Sequence, residues 1–145
     1  MTEDANRLEQ LRQLVLAMPM ARTLGLRFTH IAAGAVELEL PVAEPFTFRP
    51  GQLQATPVFA AADFAAVAAA GTLLPPGWSN ATVDAHLKLV APARGVALRA
   101  RGRVIDAARL LTVCAADVYA LDDAGGERLC ATLLATARNI EPPRA

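Results

Sequence analysis

A single carboxylate stands alone in the middle of the chain. Between Arg49 and Asp84 the only formally charged residue is Asp63, set in the run Val58-Phe59-Ala60-Ala61-Ala62-Asp63-Phe64-Ala65-Ala66-Val67-Ala68-Ala69-Ala70. Aspartate has poor helix propensity, and burying its charge is costly, so an acidic residue in an alanine-rich helix asks for a reason. A narrow exposed stripe would explain it blandly, but the other positions of such a stripe are apolar. A carboxylate facing a cavity suits acid–base work or direct nucleophilic attack.

Other reactive side chains make weaker claims. Strict alternation places His86 on one face with Thr82, Asp84 and Lys88, but no second ligand stands at metal spacing, which fits a structural histidine. His30 falls at a strand end, and Asp84 fits support of strand pairing at a subunit interface. Arg99, Arg101 and Arg103 share a face, the ordinary pattern of a solvated surface. Trp78 and Phe48 fit loop or core packing, with an acyl pocket as the functional alternative. The two cysteines, Cys114 and Cys130, lie far apart in strand-like segments and fit buried small hydrophobes, not a disulfide, a metal site or a nucleophile. There is no Gly-x-Ser-x-Gly, no P-loop and no dinucleotide fingerprint.

The elements that must position Asp63 follow from periodicity. Residues 3–18 are expected to form an amphipathic helix on the spacing of Leu8, Leu11, Val15 and Met18, ended by Pro19. Segments 24–31 and 36–42 read as strands joined around Ala33-Gly34, the second alternating Val36, Leu38 and Leu40 with Glu37 and Glu39. A loop over 44–53 follows. Thr56-Pro57 then signals a helix start, with threonine as cap and proline at the first position, giving a helix over about 57–70 that stops at Gly71. This helix is apolar nearly all round and too short to cross a bilayer, so it is expected to be enclosed. Four alternating segments, 79–91, 96–106, 110–121 and 127–140, are joined by turns at 92–95, 106–109 and 122–126.

At 145 residues the chain is long enough for one domain, 1–145, with a real core. Lys+Arg and Asp+Glu number 14 each, which argues against nucleic-acid and membrane-surface partners. The acidic start, Thr2-Glu3-Asp4, does not fit a signal peptide, and a cytoplasmic location is expected. So much apolar material in a small chain points to burial between subunits, as a homodimer or homotetramer. One buried helix, two strands before it and four after, make an α+β protein. The arrangement that buries such a helix is the hotdog fold, an antiparallel sheet wrapped around one long helix, here with an extra N-terminal helix.

Two stretches carry a resemblance. Gly51-Gln52-Leu53-Gln54-Ala55-Thr56-Pro57-Val58-Phe59-Ala60-Ala61-Ala62-Asp63 resembles the active-site stretch of the phenylacetic-acid-degradation (PaaI-like) branch of hotdog acyl-CoA thioesterases. That stretch runs Gly-x-Val-His-Gly-Gly, six variable residues, then Asp; the glycine and the aspartate match in register. The segment Ala81-Thr82-Val83-Asp84, with Pro92-Ala93 beyond it, resembles the strand and turn that follow in that branch, and Gly126 before Leu129-Cys130-Ala131-Thr132 fits its closing strands. The likeness spans about residues 20–140. It implies hydrolysis of an acyl-CoA thioester, without metal or redox cofactor, in a site shared between two subunits. Asp63 is then the base or nucleophile, Thr82 positions the water, and the backbone N–H of Ala55 stabilises the oxyanion at a helix N-terminus. Thr56 offers the other free amide, since Pro57 has none. Lys88 and Arg94, with the arginine row, are the candidates for the CoA phosphates.

The chain departs from that pattern where His-Gly-Gly becomes Gln54-Ala55-Thr56 and an asparagine becomes Phe48. Gln54 hydrogen-bonds but does not titrate, and the two lost glycines restrict the backbone. Two readings therefore stand: an acyl-CoA thioesterase, and a binding protein for acyl-CoA or an acyl carrier that has lost turnover. A dehydratase or hydratase of the same fold fits less well, because position 54 is not histidine.

Overall fold

The computed structural model describes residues 2–145. The chain opens with α1 (Glu3–Leu16), capped by the Thr2 hydroxyl, which accepts from the Ala5 amide at 3.1 Å. Pro19 does more than stop this helix: it occupies the first turn of a second short one, α2 (Pro19–Leu24), where its missing N–H has no helical partner to lose. Then come β1 (Arg27–Ala32) and β2 (Ala35–Pro41). The segment expected to be loop holds a 3-10 turn (Glu44–Phe46) and a small hairpin, β3 (Thr47–Arg49) with β4 (Gln52–Leu53).

The long helix α3 spans Ala55–Gly71, two residues earlier than Thr56-Pro57 suggests. Gln54 is its N-cap and makes no side-chain cap bond; Thr56 and Pro57 sit inside the first turn, where amides have no helical acceptor. Four long strands complete the chain: β5 (Ser79–Leu89), β6 (Ala97–Ala107), β7 (Leu111–Leu121) and β8 (Glu127–Ile140). They form one six-stranded antiparallel sheet in the order β1-β2-β6-β7-β8-β5. The sheet packs around α3, which touches β2, β5, β6, β7 and β8; this is the α+β hotdog architecture.

Small residues bring helix and sheet together. Ala61, Ala62, Ala65, Ala66 and Ala69 are fully buried against the inner face of the sheet, which presents Leu38, Leu98, Ala116 and Leu133. The closest approach is at Gly102 of β6. A Cβ there would lie 2.0 Å from the Ala65 carbonyl oxygen and 2.8 Å from the Ala66 amide nitrogen. Those are backbone atoms of α3, so relief requires moving the whole helix. Gly102→Ala is expected to lower stability by about 3 kcal/mol, at the upper end of overpacking costs. A urea-unfolding midpoint equal to that of wild type would refute this close contact.

The outer face carries charge that is matched internally. Glu39, only 6% exposed, accepts from Arg27 at 2.5 Å and from Arg99 at 2.9 and 2.5 Å. Arg99 and Arg101 also share Glu127, Arg101 pairs with Glu37, and Arg103 lies 3.4 Å from Asp117. These ion pairs and hydrogen bonds hold Glu37 and Glu127 below the usual carboxylate range. The arginine row is thus a sheet surface on the side away from α3 whose charge is matched by carboxylates.

Candidate active site

Asp63 lies on the one side of α3 that the sheet leaves open. Its neighbours on that stripe, Phe59, Ala60, Phe64 and Val67, are all partly or largely exposed, whereas the residues between them are buried. The stripe therefore exists, but it is apolar apart from Asp63, so solvent exposure alone does not account for a carboxylate there. The Thr82 hydroxyl donates to Asp63 Oδ1 at 2.8 Å. Burial holds the Asp63 carboxyl above its ordinary value, and the Thr82 bond, which favours the ionised form, offsets part of that rise.

A bulge makes this contact possible. The pairing of β5 with β8 shifts between Thr82 and Asp84, so that Thr82 opposes Ala137 while Asp84 opposes Thr136. Strict alternation would have put Thr82 on the face of Asp84, His86 and Lys88. With Val83 as the extra residue, Thr82 turns toward α3 and the other three point away from it. His86 approaches Asp84 at 3.6 Å, and both are well exposed on the outer surface. Lys88 lies on that same outer face and is not brought to Asp63.

Asn80, two residues before Thr82, donates from Nδ2 to the Val67 carbonyl at 3.0 Å and ties β5 to α3 beside the site. No local sequence motif marks it. Cys114 lies buried beneath α3; burial first and the Asp63 charge second push its thiol up to about 11. Cys130 is also buried, with its thiol likewise at about 11. Both therefore stay protonated and unreactive near neutral pH. Among the described residues no three His, Cys, Asp or Glu side chains cluster as a metal site, and no helix is long and apolar enough to cross a membrane.

The second half of the candidate site sits at the N-terminus of α3. Ala55 is the first helical residue, and with Gln54 and Phe48 it lines an open cavity of about 560 Å³ bordered by Leu89, Pro92 and Ala93. Arg94 reaches this rim and donates to Gln52 Oε1 at 3.0 Å. Phe48 is half exposed, with the Arg49 guanidinium 4.8 Å above its ring. Thr56 faces a different groove, toward α2. Trp78 lies at the opposite end of α3, beside Pro75. Ala55 and Asp63 are separated along the helix by about 12 Å, from a rise of ~1.5 Å per residue.

The hydrogen bond from Thr82 has a direct consequence. Thr82→Val removes the donor that favours ionised Asp63, so the carboxyl should titrate at higher pH still. Carboxyl NMR titration reads this, and an unchanged midpoint would show that the bond does not form in solution.

An antiparallel sheet wrapped around one long helix defines a hotdog-fold protein. Solved structures agree. A thioesterase family protein from Silicibacter pomeroyi matches with a TM-score of 0.87 at 32% identity, over 92% of this chain and 98% of that one. A thioesterase from Haemophilus influenzae matches at 0.80 and 22% identity, over 94% and 92%. A phenylacetic acid degradation-related protein from Ralstonia eutropha JMP134 matches at 0.76 and 24%, over 91% and 98%. No protein-family model matches the sequence, and no curated protein matches it. The chain belongs to the hotdog-fold thioesterase superfamily.

Proposed function

We propose that the protein hydrolyses an acyl-CoA thioester to a free acid and CoA in a site completed by a second copy of the chain. The observation that carries this reading is the pair formed by half-buried Asp63 and Thr82. The pair supplies a carboxylate with a raised proton affinity and a hydroxyl able to hold a water beside it. From the ionised carboxylate, either of two routes is open. Asp63 takes a proton from water as the water attacks the thioester carbon, and the C–S bond breaks to release the CoA thiolate, which the Asp63 carboxyl protonates; or Asp63 attacks that carbon itself, expels the CoA thiolate, and water hydrolyses the resulting anhydride.

The developing oxyanion needs a donor, and the free N–H of Ala55 at the positive end of α3 suits it. At about 12 Å from Asp63 along the same helix, it cannot touch the same carbonyl. Two antiparallel copies of α3 resolve this, because a two-fold axis near Phe59 sets Ala55 of each against Asp63 of the other. Support for such a pair comes from the open stripe of α3 and from β5. That strand is one of the two sheet edges, with Val83, Leu89 and, just beyond it, Val90 more than half exposed. The cavity at the helix end would then take the pantetheine arm, with Arg94 near the phosphates.

Gln54 in place of a histidine, and Phe48 at the cavity wall, favour the second reading, an acyl-CoA or acyl-carrier binding protein without turnover. Release of CoA from acetyl-, butyryl-, hexanoyl-, octanoyl- and phenylacetyl-CoA, followed with a thiol reagent, separates the two. Turnover of any member supports the hydrolase. Binding without release from every member supports the carrier.

A further inference from the structure

Asp63 is tied to β5 by a bond that water can reach, and a second, shielded bond lies beside it. Thr82 donates to Asp63 Oδ1 at 2.8 Å from an exposed position, where water competes for both partners. Two residues earlier, Asn80 Nδ2 donates to the Val67 carbonyl oxygen at 3.0 Å. This second bond is half-buried. Its Nδ2 lies beside Gly71, where a Cβ would come within 3.7 Å of it and within 3.3 Å of Leu11 of α1. Two residues of strand advance about 6.6 Å and four residues of helix about 6 Å. Asn80–Val67 and Thr82–Asp63 therefore form two matched rungs between elements that run in opposite directions. The strand needs the second rung. It is a sheet edge held by β8 on one side, and its ladder shifts between Thr82 and Asp84, immediately after the hydroxyl that meets Asp63. A bulge bends its strand and leaves a residue unpaired, so the ladder beyond it does not fix the height of Thr82 over α3.

Resting on the thioester reading above for its bearing on catalysis, we infer that Asn80 is a positioning residue, which holds Thr82 against Asp63 by anchoring β5 to the Val67 carbonyl. Its side chain bonds to the main chain of α3 one turn beyond Asp63 and acts on the carboxylate only through Thr82. Without the shielded anchor, β5 and α3 can slide past each other, and the exposed Thr82 bond spends more of its time open to water. The effect falls on Asp63, because that bond favours its ionised form. The Cys114 thiol of β7 also feels the Asp63 charge, but it stays protonated near neutral pH and does not contribute to the change. A plain tie between helix and sheet would lower stability when cut and leave Asp63 as it was.

The test is a double-mutant cycle read at Asp63. Asn80→Leu and Asn80→Ala both remove the donor, one keeping the bulk and the other losing it, and neither adds a charge. Carboxyl NMR titration of the whole protein is expected to show Asp63 moving to higher pH in both, by no more than Thr82→Val produces. In a Thr82→Val background the same two substitutions should move it no further, since no bond remains to be lost. On any acyl-CoA that the wild type hydrolyses, kcat should fall about fivefold with KM unchanged, the loss expected of one hydrogen bond that matters in the transition state. An Asp63 midpoint unmoved by either substitution, or moved equally with and without Thr82, overturns the assignment. The two proposals fail separately. The expected cycle without CoA release from the acyl-CoA panel sinks hydrolysis and leaves Asn80 in its role. CoA release with an unmoved Asp63 does the reverse.

Discussion

Asp63→Asn loses about 10²–10⁴-fold in kcat on any acyl-CoA that the wild type hydrolyses, the range that follows from removing a general base. The same variant should be no less stable than wild type at neutral pH. Burial raises the folded-state pKa of Asp63 above its unfolded value. The ionised carboxylate therefore opposes folding: stability is fully present below the unfolded pKa and is lost as pH rises through the folded one. Asparagine has no such charge to desolvate, so its advantage appears at neutral pH and shrinks as the medium is acidified toward the ordinary carboxylate range. Urea midpoints at neutral and acidic pH check the sign, and CoA release checks the rate. Equal turnover in wild type and variant would remove Asp63 from the mechanism.

Ala55→Pro should cost about 10²–10³-fold in kcat, as loss of an oxyanion donor does. Proline deletes the N–H and little else. Position 55 is the first of the helix, where proline is well accommodated. Gln54 before it already holds φ −65° and ψ 164°, the extended conformation that a following proline requires. The informative experiment mixes the two inactive variants under conditions of subunit exchange. If each site draws Asp63 from one chain and Ala55 from the other, a mixed dimer has one site with both defects and one with neither. Half the dimers are mixed and half of their sites are intact, so about a quarter of wild-type activity returns. If both groups act within one chain, mixing restores nothing.

Periodicity carried most of the architecture. Residues 127–140 and the buried helix were legible because alternation and an unbroken apolar run are strong signals, and β8 has the expected bounds. The misses have local causes. Pro19 ends one helix and begins another, and composition does not say which function a proline serves. Thr56-Pro57 looked like a cap and first position, but amides throughout the first turn lack helical acceptors, so the same dipeptide fits two residues further in. The loop over 44–53 conceals β3 and β4, too short to show a period.

The candidate site was legible in part. Asp63 stood out because a charge in an apolar helix is anomalous by itself. Thr82 was reached through resemblance, but its orientation depends on a bulge at Val83 that alternation cannot reveal, and the same bulge leaves Lys88 on the far surface. Asn80 was missed because its partner is a main-chain carbonyl distant in sequence. The arginines of β6 share one face in the sequence, but their pairing with Glu37, Glu39 and Glu127 depends on strand register, which the sequence does not display.

The contact at Gly102 has a consequence for how such a site can diverge. Ala65, whose backbone rests there, is two residues from Asp63, so the place where helix and sheet nearly fuse also sets the height of the carboxylate. Displacement by about 1 Å is enough to cost a reaction a hundredfold. One side of α3 is therefore closed to experiment by mutation: alanine tolerates replacement poorly there, and any gain in bulk moves Asp63. The other side, with Ala60, Phe64 and Val67, is only partly covered and leaves more room for a change of size. Substitutions on the open side can therefore reshape the surface around Asp63 while the buried side holds the carboxylate in place.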